Sequence, residues 1–454
     1  MTRRSFTRYV AATATGFAAL RQFASAAPKT RQSFQGYGEL VQDPNRLIDL
    51  PPGFSYKAFS PAGEKMADGF LVPGKHDGMG AFTGPRGTTI LVRNHELTTD
   101  SADGAFGTDR SLLTKLPKHK IYDAGKGEHP ALGGTTTVLY DTKKQQLQTQ
   151  FLSLAGTVRN CAGGVTPWKT WITCEESTIA AQSFFERDHG YNFEVPASSR
   201  PQVTTPVPLK AMGRFVHEAV AVDARSGIVY QTEDQGNGLI YRFLPSRRGK
   251  LAEGGKLQAL ALRDRKSADT RNWEVAAIKP GEKLPVSWVD IRDVESPKDD
   301  LRLQGFSNGA ARFARGEGMW AAPGAIYFAC TNGGAAKAGQ IFRYTPSLNE
   351  GRPDEDRNPG VLELFIEPND TRLLENADNL TIAPWGDVII CEDGPARQFV
   401  HGLTPEGKLY RLAHNARSVS EFTGAVFSPD GSTLFVNIQS PGLTLAITGP
   451  WLGR

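Results

Sequence analysis

Pro384-Trp385-Gly386-Asp387-Val388-Ile389-Ile390-Cys391-Glu392-Asp393 is the stretch that decides the fold. A Gly/Pro turn runs into apolar strand formers, and the strand ends on acid. The same grammar, with a polar or acidic end, recurs five more times. Pro85-Arg86-Gly87 leads through Ile90-Leu91-Val92 to Asn94-His95-Glu96, and Pro167-Trp168 through Trp171-Ile172 to Cys174-Glu175-Glu176. Arg225-Ser226-Gly227 leads through Ile228-Val229-Tyr230 to Glu233-Asp234, and Pro323-Gly324 through Ile326-Tyr327-Phe328 to Cys330-Thr331-Asn332. Pro429-Asp430-Gly431 leads through Leu434-Phe435-Val436 to Asn437-Ile438-Gln439. Repeated strands stacked radially bring equivalent ends to one axis. The expected fold class is therefore all-β, a six-bladed β-propeller-like ring whose inner strands are these six. A β-sandwich or two smaller β-domains are the other arrangements of so many short strands.

Around each copy the pattern continues. Leu239-Ile240-Tyr241-Arg242-Phe243, Gln340-Ile341-Phe342-Arg343-Tyr344 and Lys408-Leu409-Tyr410-Arg411-Leu412 read as further strands, and Val138–Asp141 with Gln146–Gln148 reads as a hairpin. The unequal spacing of the copies implies insertions at Ser183–Lys210, Ser246–Pro285 and Asn349–Asn358, expected as loops on one face. The charges of Asp354-Glu355-Asp356 in the last are expected to face solvent rather than form a calcium loop. Helices are expected only as short pieces at Ser111–Leu116 and Ser177–Phe185. Residues 36–60 are expected to supply a strand that helps close the ring.

The chain opens Thr2-Arg3-Arg4-Ser5-Phe6-Thr7-Arg8, followed by a weakly apolar run and Ala24-Ser25-Ala26. Paired arginines, an apolar stretch and a small-residue cleavage site, in that order, mark a twin-arginine export signal. The expected organisation is a signal peptide at 1–26 and a single domain at 27–454. The product is expected to be periplasmic or secreted, with the twin-arginine export machinery as a partner and no stable membrane anchor after cleavage. The formal net charge is +4, and residues 1–26 hold four arginines and no acid, so the remaining chain is neutral. With no basic stripe carrying interleaved aromatics, a nucleic-acid surface is not expected.

Chemistry is expected where the strand ends meet. Two more acidic segments fall between the repeats, Gly213-Arg214-Phe215-Val216-His217-Glu218 and Arg315-Gly316-Glu317-Gly318-Met319. The gathered set is Glu96, Glu175, Glu176, Glu218, Glu233, Asp234, Glu317, Glu392 and Asp393. So many carboxylates can share a place only with cations or shared protons. Oxygen-only positions suit calcium, which takes six to eight oxygens. Cys161, in the glycine loop Cys161-Ala162-Gly163-Gly164, would add a soft ligand for a transition metal such as ferric iron. Cys174, Cys330 and Cys391 are expected as free, buried thiols. Arg315 offers a planar donor fork suited to phosphate oxygens or, alternatively, a counter-charge to the carboxylates. The Asn94 amide would be a further donor. Adjacent strand side chains point to opposite faces, so His95 and His217 are expected in the core if Glu96 and Glu218 face the channel. No nucleophile elbow, Walker loop or dinucleotide fingerprint is present.

These motifs are familiar together. Asn94-His95-Glu96, Asn160-Cys161-Ala162-Gly163-Gly164, Thr166-Pro167-Trp168 through Trp171 to Cys174-Glu175-Glu176, and Gly213-Arg214-Phe215 with His217-Glu218 resemble the PhoX-type alkaline phosphatases. So do Arg315–Met319, Cys391-Glu392-Asp393 and Phe422-Thr423-Gly424 through Pro429-Asp430-Gly431 to Asn437. The resemblance runs in order from about residue 36 to 445 and implies an exported phosphomonoesterase with a mixed iron–calcium cluster. It implies that Cys161 and several glutamates hold iron, that other carboxylates hold calcium, and that Asn94 and Arg315 contact the phosphate. A metal-bound oxygen would be the nucleophile and small phosphate esters the substrates. The rival readings are another calcium-dependent propeller hydrolase, such as a lactonase or phosphotriesterase, and a non-catalytic exported binding module.

Overall fold

A computed structural model describes residues 36–452. The signal-peptide expectation at 1–26 lies outside them. Strands β1 (Ile48–Asp49) and β2 (Ser55–Phe59) join sheets completed much later in the chain. Strands β3 (His76–Thr83), β4 (Thr88–His95), β5 (Gly133–Asp141) and β6 (Gln146–Thr157) make a four-stranded antiparallel sheet in chain order. Strands β7 (Asn160–Val165), β8 (Thr170–Glu175) and β9 (Asn192–Pro196) make a three-stranded one. Strands β10 (His217–Val222), β11 (Val229–Glu233), β12 (Ile240–Pro245), β13 (Gly255–Leu262) and β14 (Lys283–Asp290) follow in order. After the helix α1 (Leu301–Ser307) come β15 (Gly316–Ala322), β16 (Ala325–Cys330), β17 (Gln340–Thr345) and β18 (Val361–Ile366). Strand β14 pairs with β18, so these two groups fuse into one nine-stranded sheet. Strands β19 (Ala377–Ile382), β20 (Val388–Glu392), β21 (Phe399–Leu403) and β22 (Leu409–Asn415) carry β1 on the edge of β22. Strands β23 (Phe422–Phe427), β24 (Leu434–Ile438) and β25 (Leu443–Thr448) carry β2 on the edge of β25.

The architecture is all-β and propeller-like, with little helix. Strands β3, β7, β10, β15, β19 and β23 each pack against the next, and β23 packs against β3. The ring is sealed by apolar side chains between neighbouring sheets. At its closure Phe59 of β2, Met79, Leu91, Tyr140, Val426 and Phe435 form one buried cluster.

The strands expected to be innermost are in fact the second of each group: β4, β8, β11, β16, β20 and β24. The innermost ones were hidden because they are glycine-rich and polar. Crowding at the axis requires this. A Cβ on Gly164 would sit 2.0 Å from the Val220 carbonyl oxygen, and one on Gly318 would sit 2.7 Å from that of Asp378. Below the carboxylates the axis is filled, leaving a cavity of about 10 Å³ between Gly78, Gly163, Met319, Trp320 and Gly424.

Two expected loops are not loops throughout. Ser183–Lys210 contains β9, and Ser246–Pro285 contains β13 and the start of β14. Proline and polar flanks masked β9, whose Phe193 and Val195 are fully buried. Ser177–Phe185 is irregular rather than helical, while Ser111–Lys115 is a short 3-10 turn. Glu355 does not simply face solvent. It takes a bidentate contact from the buried Arg242, at 2.6 and 2.8 Å. No helix among the described residues is long and apolar enough to cross a membrane.

Candidate metal centre

Every innermost strand carries a bulge at the same point, just after the residue paired with the end of the second strand. His76 pairs with His95, Asn160 with Glu175, His217 with Glu233, Gly316 with Cys330, Ala377 with Glu392 and Phe422 with Ile438. In five of the six the register slips immediately beyond that pair, and in β23 it slips one residue later. A bulge re-aims a side chain and ends regular pairing. The re-aimed residues are Asp77, Cys161, Glu218, Glu317 and Asp378; Thr423, at the corresponding position of β23, still pairs with Asn437.

A second tier follows the second strands. The backbone N–H of Glu96, Glu176, Asp234, Thr331, Asp393 and Gln439 donates to the carbonyl of Lys75, Arg159, Val216, Arg315, Asn376 and Glu421 respectively. The repeat therefore builds three tiers: the bulge residues, the ends of the second strands, and the residues that enter the innermost strands. In the fourth repeat the second-tier position is Thr331, one residue before the expected Asn332.

Side chains link these tiers into a chain of contacts. Lys75 Nζ donates to Gln439 Oε1 at 2.7 Å, and Gln439 Nε2 to Glu96 Oε2 at 3.0 Å. Arg159 bridges Glu96, at 2.8 Å, and Glu176. Glu176 in turn neighbours Asp234, whose carboxylate helps to raise its pKa. Asp234 takes both arms of the Arg315 fork, at 2.6 and 2.7 Å, and Arg315 reaches Glu317 at 3.1 Å.

Three groups of ligand atoms lie within 4.8 Å of one another: Cys161–Glu176–Glu218, Glu218–Glu317–Asp378, and Asp378–Asp393–Glu421. They share Glu218 and Asp378 and so form a continuous line. Burial, reinforced by neighbouring carboxylates, pushes Asp77, Glu176, Glu218, Glu317 and Glu421 well above the carboxylate range. Burial and Asp393 push Asp378 up to about 7. Burial, with Asp77 and Glu218 beside it, also raises the Cys161 thiol, whose Sγ lies 3.3 Å from Glu218 Oε1. Glu218 Oε2 is buried with no hydrogen-bond partner. An orphaned buried oxygen among carboxyls that resist ionising is the signature of a missing positive charge. The donor set fits cations.

Several expected ligands lie elsewhere, because strand neighbours point to opposite faces. Glu175, Glu233 and Glu392 turn into their own sheets. Glu175 accepts from Val158, Gly190 and Tyr191 N–H groups and from His189. Glu233 accepts from Leu239 N–H and Tyr241 Oη and pairs with Arg302. Glu392 accepts from Glu375 and Phe399 N–H and contacts His401 at 2.9 Å. Asn94 is locked too. Its amide donates to the carbonyls of Cys161 and Ala162, and its oxygen accepts from Trp171 Nε1, leaving no donor for a phosphate. His95 and His217 are fully buried against carbonyl oxygens of Gly74 and Gly213. All four cysteines are free.

Sequence reasoning missed Asp77, Asp378, Glu421, Arg159 and Lys75. One signal was available: Asp77-Gly78 repeats the acid-then-small pattern of Glu218-Ala219 and Glu317-Gly318, with Cys161-Ala162 in step.

The family model for alkaline phosphatase PhoX matches residues 35–442. The chain belongs to the PhoX alkaline phosphatase family. As a PhoX protein it is a hydrolase of phosphomonoesters. The fold is similar to that of Pseudomonas fluorescens PhoX in complex with vanadate, a transition-state analogue, with TM-score 0.64 and 19% identity over 89% of this chain and 96% of that one. A gluconolactonase from Xanthomonas campestris, XC5397, matches with TM-score 0.41 and 12% identity over 91% of this chain and 100% of that one. No curated protein matches the chain. Among the described residues of this PhoX protein, the groups that could hold metal are Cys161–Glu176–Glu218, Glu218–Glu317–Asp378 and Asp378–Asp393–Glu421, without the three carboxylates turned into the sheets.

Proposed function

We propose that the phosphatase works through a mixed iron–calcium set held on the bulge line, at the axis of a six-bladed ring. The observation that carries this is the Cys161–Glu176–Glu218 group, with its orphaned Glu218 oxygen, continuing into two oxygen-only groups. Thiolate plus carboxylates suits ferric iron, and Glu218–Glu317–Asp378 and Asp378–Asp393–Glu421 suit calcium. Six blades follow from dividing the nine-stranded sheet at the β14–β18 pairing, which leaves one blade per innermost strand. When bound, the ions would supply charge to the phosphoryl oxygens and lower the pKa of a water.

The chain's own residues do the rest. Arg315 keeps its side chain 39% exposed and fully charged; Asp234 and Glu317 occupy Nε and Nη2, which leaves Nη1 to donate to an equatorial phosphoryl oxygen. Asn94 is a positioning residue: it holds the strand that carries Cys161. The filled axis below the carboxylates lets substrate approach from the carboxylate end only. Export by the twin-arginine route to the periplasm or beyond is part of this reading, resting on Arg3-Arg4 and Ala24-Ser25-Ala26. That route carries folded proteins, which suits a centre assembled before export.

The test is elemental analysis of the exported protein joined to hydrolysis of a chromogenic phosphomonoester, with and without calcium chelation. Iron and calcium should co-purify, chelation should abolish turnover, and vanadate should inhibit. Full turnover in protein free of iron and calcium would overturn the reading. An exported product beginning at Ala27 supports the signal, and an intact Met1 terminus removes it.

A further inference from the structure

We infer that Arg159 is a second phosphate-binding arginine, the counterpart of Arg315 in another repeat. The inference rests on the proposed contact between Arg315 and phosphate.

The two arginines occupy equivalent positions. Each enters an innermost strand two residues ahead of the re-aimed ligand, Cys161 or Glu317. Each lends its carbonyl to the backbone N–H that ends the second strand, Glu176 or Thr331. Both backbones are left-handed, with φ of 47° at Arg159 and 53° at Arg315. Side chains seldom adopt that region, and it costs of order 1 kcal/mol or more, so neighbours must hold it in place. Each guanidinium bridges two carboxylates, and each side chain is about equally exposed, 41% and 39%. The two stand at opposite ends of the neighbouring Glu176 and Asp234 carboxylates, Arg159 on the first and Arg315 on the second.

Counter-charge alone leaves part of the guanidinium unused: both carboxylates meet Arg159 at Nη2, and Nη1 has no partner. Arg159 Nε is buried and donates to nothing. Glu176, one of its two partners, also belongs to the Cys161–Glu176–Glu218 group. Cations on that group would draw Glu176 away and free a second donor. A partly exposed guanidinium with Nη1 unspent and one arm of Nη2 released suits a phosphoryl dianion, whose oxygens Arg315 alone cannot all reach. Product phosphate keeps those oxygens, so Arg159 should act on its binding as well as on turnover.

The test compares Arg159→Ala, Arg159→Lys and Arg315→Ala in metal-loaded protein. Three quantities are read: metal content, KM and kcat on a chromogenic phosphomonoester, and the affinity for inorganic phosphate by calorimetry. Arg159→Ala should keep its metals and weaken phosphate binding about tenfold or more, with KM rising in step. Arg159→Lys should restore only part, because an ammonium cannot fork. Wild-type phosphate affinity in Arg159→Ala overturns the inference. So does loss of metal from Arg159→Ala that Arg159→Lys fully repairs, which marks a counter-charge only. If Arg315→Ala itself turns over normally, the phosphate reading of the whole rim fails. If Arg315→Ala is impaired and Arg159→Ala is not, only this inference fails.

Discussion

At the residue scale the site turns on neighbours that share a chemical type and not a face. Glu175 and Glu176 look interchangeable in sequence. The first satisfies three backbone N–H groups and His189, while the second meets Arg159 and the ligand line. Glu175→Gln should therefore cost about 2–4 kcal/mol of stability, since it leaves a buried network short of its charge. Glu176→Gln should barely change the unfolding free energy of the metal-free protein and should lower its metal content. Chemical denaturation beside elemental analysis checks both. Period-two logic placed His95 and His217 correctly in the core. Applied to Glu175, Glu233 and Glu392, it would have removed them from the ligand set. His189 carries a pH prediction. Burial lowers its pKa, but Glu175 and Asp123 outweigh that and raise it to about 9. A raised histidine stabilises fully below its unfolded value of about 6.5, and that contribution fades as pH climbs through about 9. Unfolding free energy should thus fall by about 3 kcal/mol across this window. His189→Gln should be less stable at pH 6 and should lack that fall; an unchanged slope removes His189 as its source.

At the scale of elements, the apolar second strands were legible because they have a buried face on each side. The innermost strands were not, because the axis leaves no room for the residues that signal a strand. Gly318 separates Glu317 from Met319, and a Cβ there would strike the backbone of Asp378, Asn379 and Leu380. Gly318→Ala should lower Tm by several degrees and displace Glu317 from its shared group. Calorimetry and metal content read this, and a variant with native Tm and full metal loading contradicts the close packing. Strand β9 was obscured differently: five residues framed by proline and polar segments carry too short a period to stand out.

For the molecule as a whole, the carboxylate ring is a store of repulsion set inside a cooperative fold. The groups that could hold ions run from Cys161 on β7 to Glu421 just ahead of β23, so ions there would tie those repeats together. Chelation should lower Tm markedly, and readdition of calcium with iron should restore it by mass action. A Tm indifferent to chelator would show that the ring holds without cations. The ring is also closed by the two ends of the described chain, since β2 pairs with β25. Ser55 Oγ lies 3.2 Å from Thr448 Oγ1, across 393 positions of sequence. At roughly 5–20 residues per second, β2 waits some 20–80 s on the ribosome for its partner to be synthesised. Throughout that interval it is a bare strand edge open to foreign pairing. The order of synthesis therefore makes the nascent chain, rather than the finished enzyme, the vulnerable species, and holdase chaperones that bind exposed strands are the factors its yield should depend on.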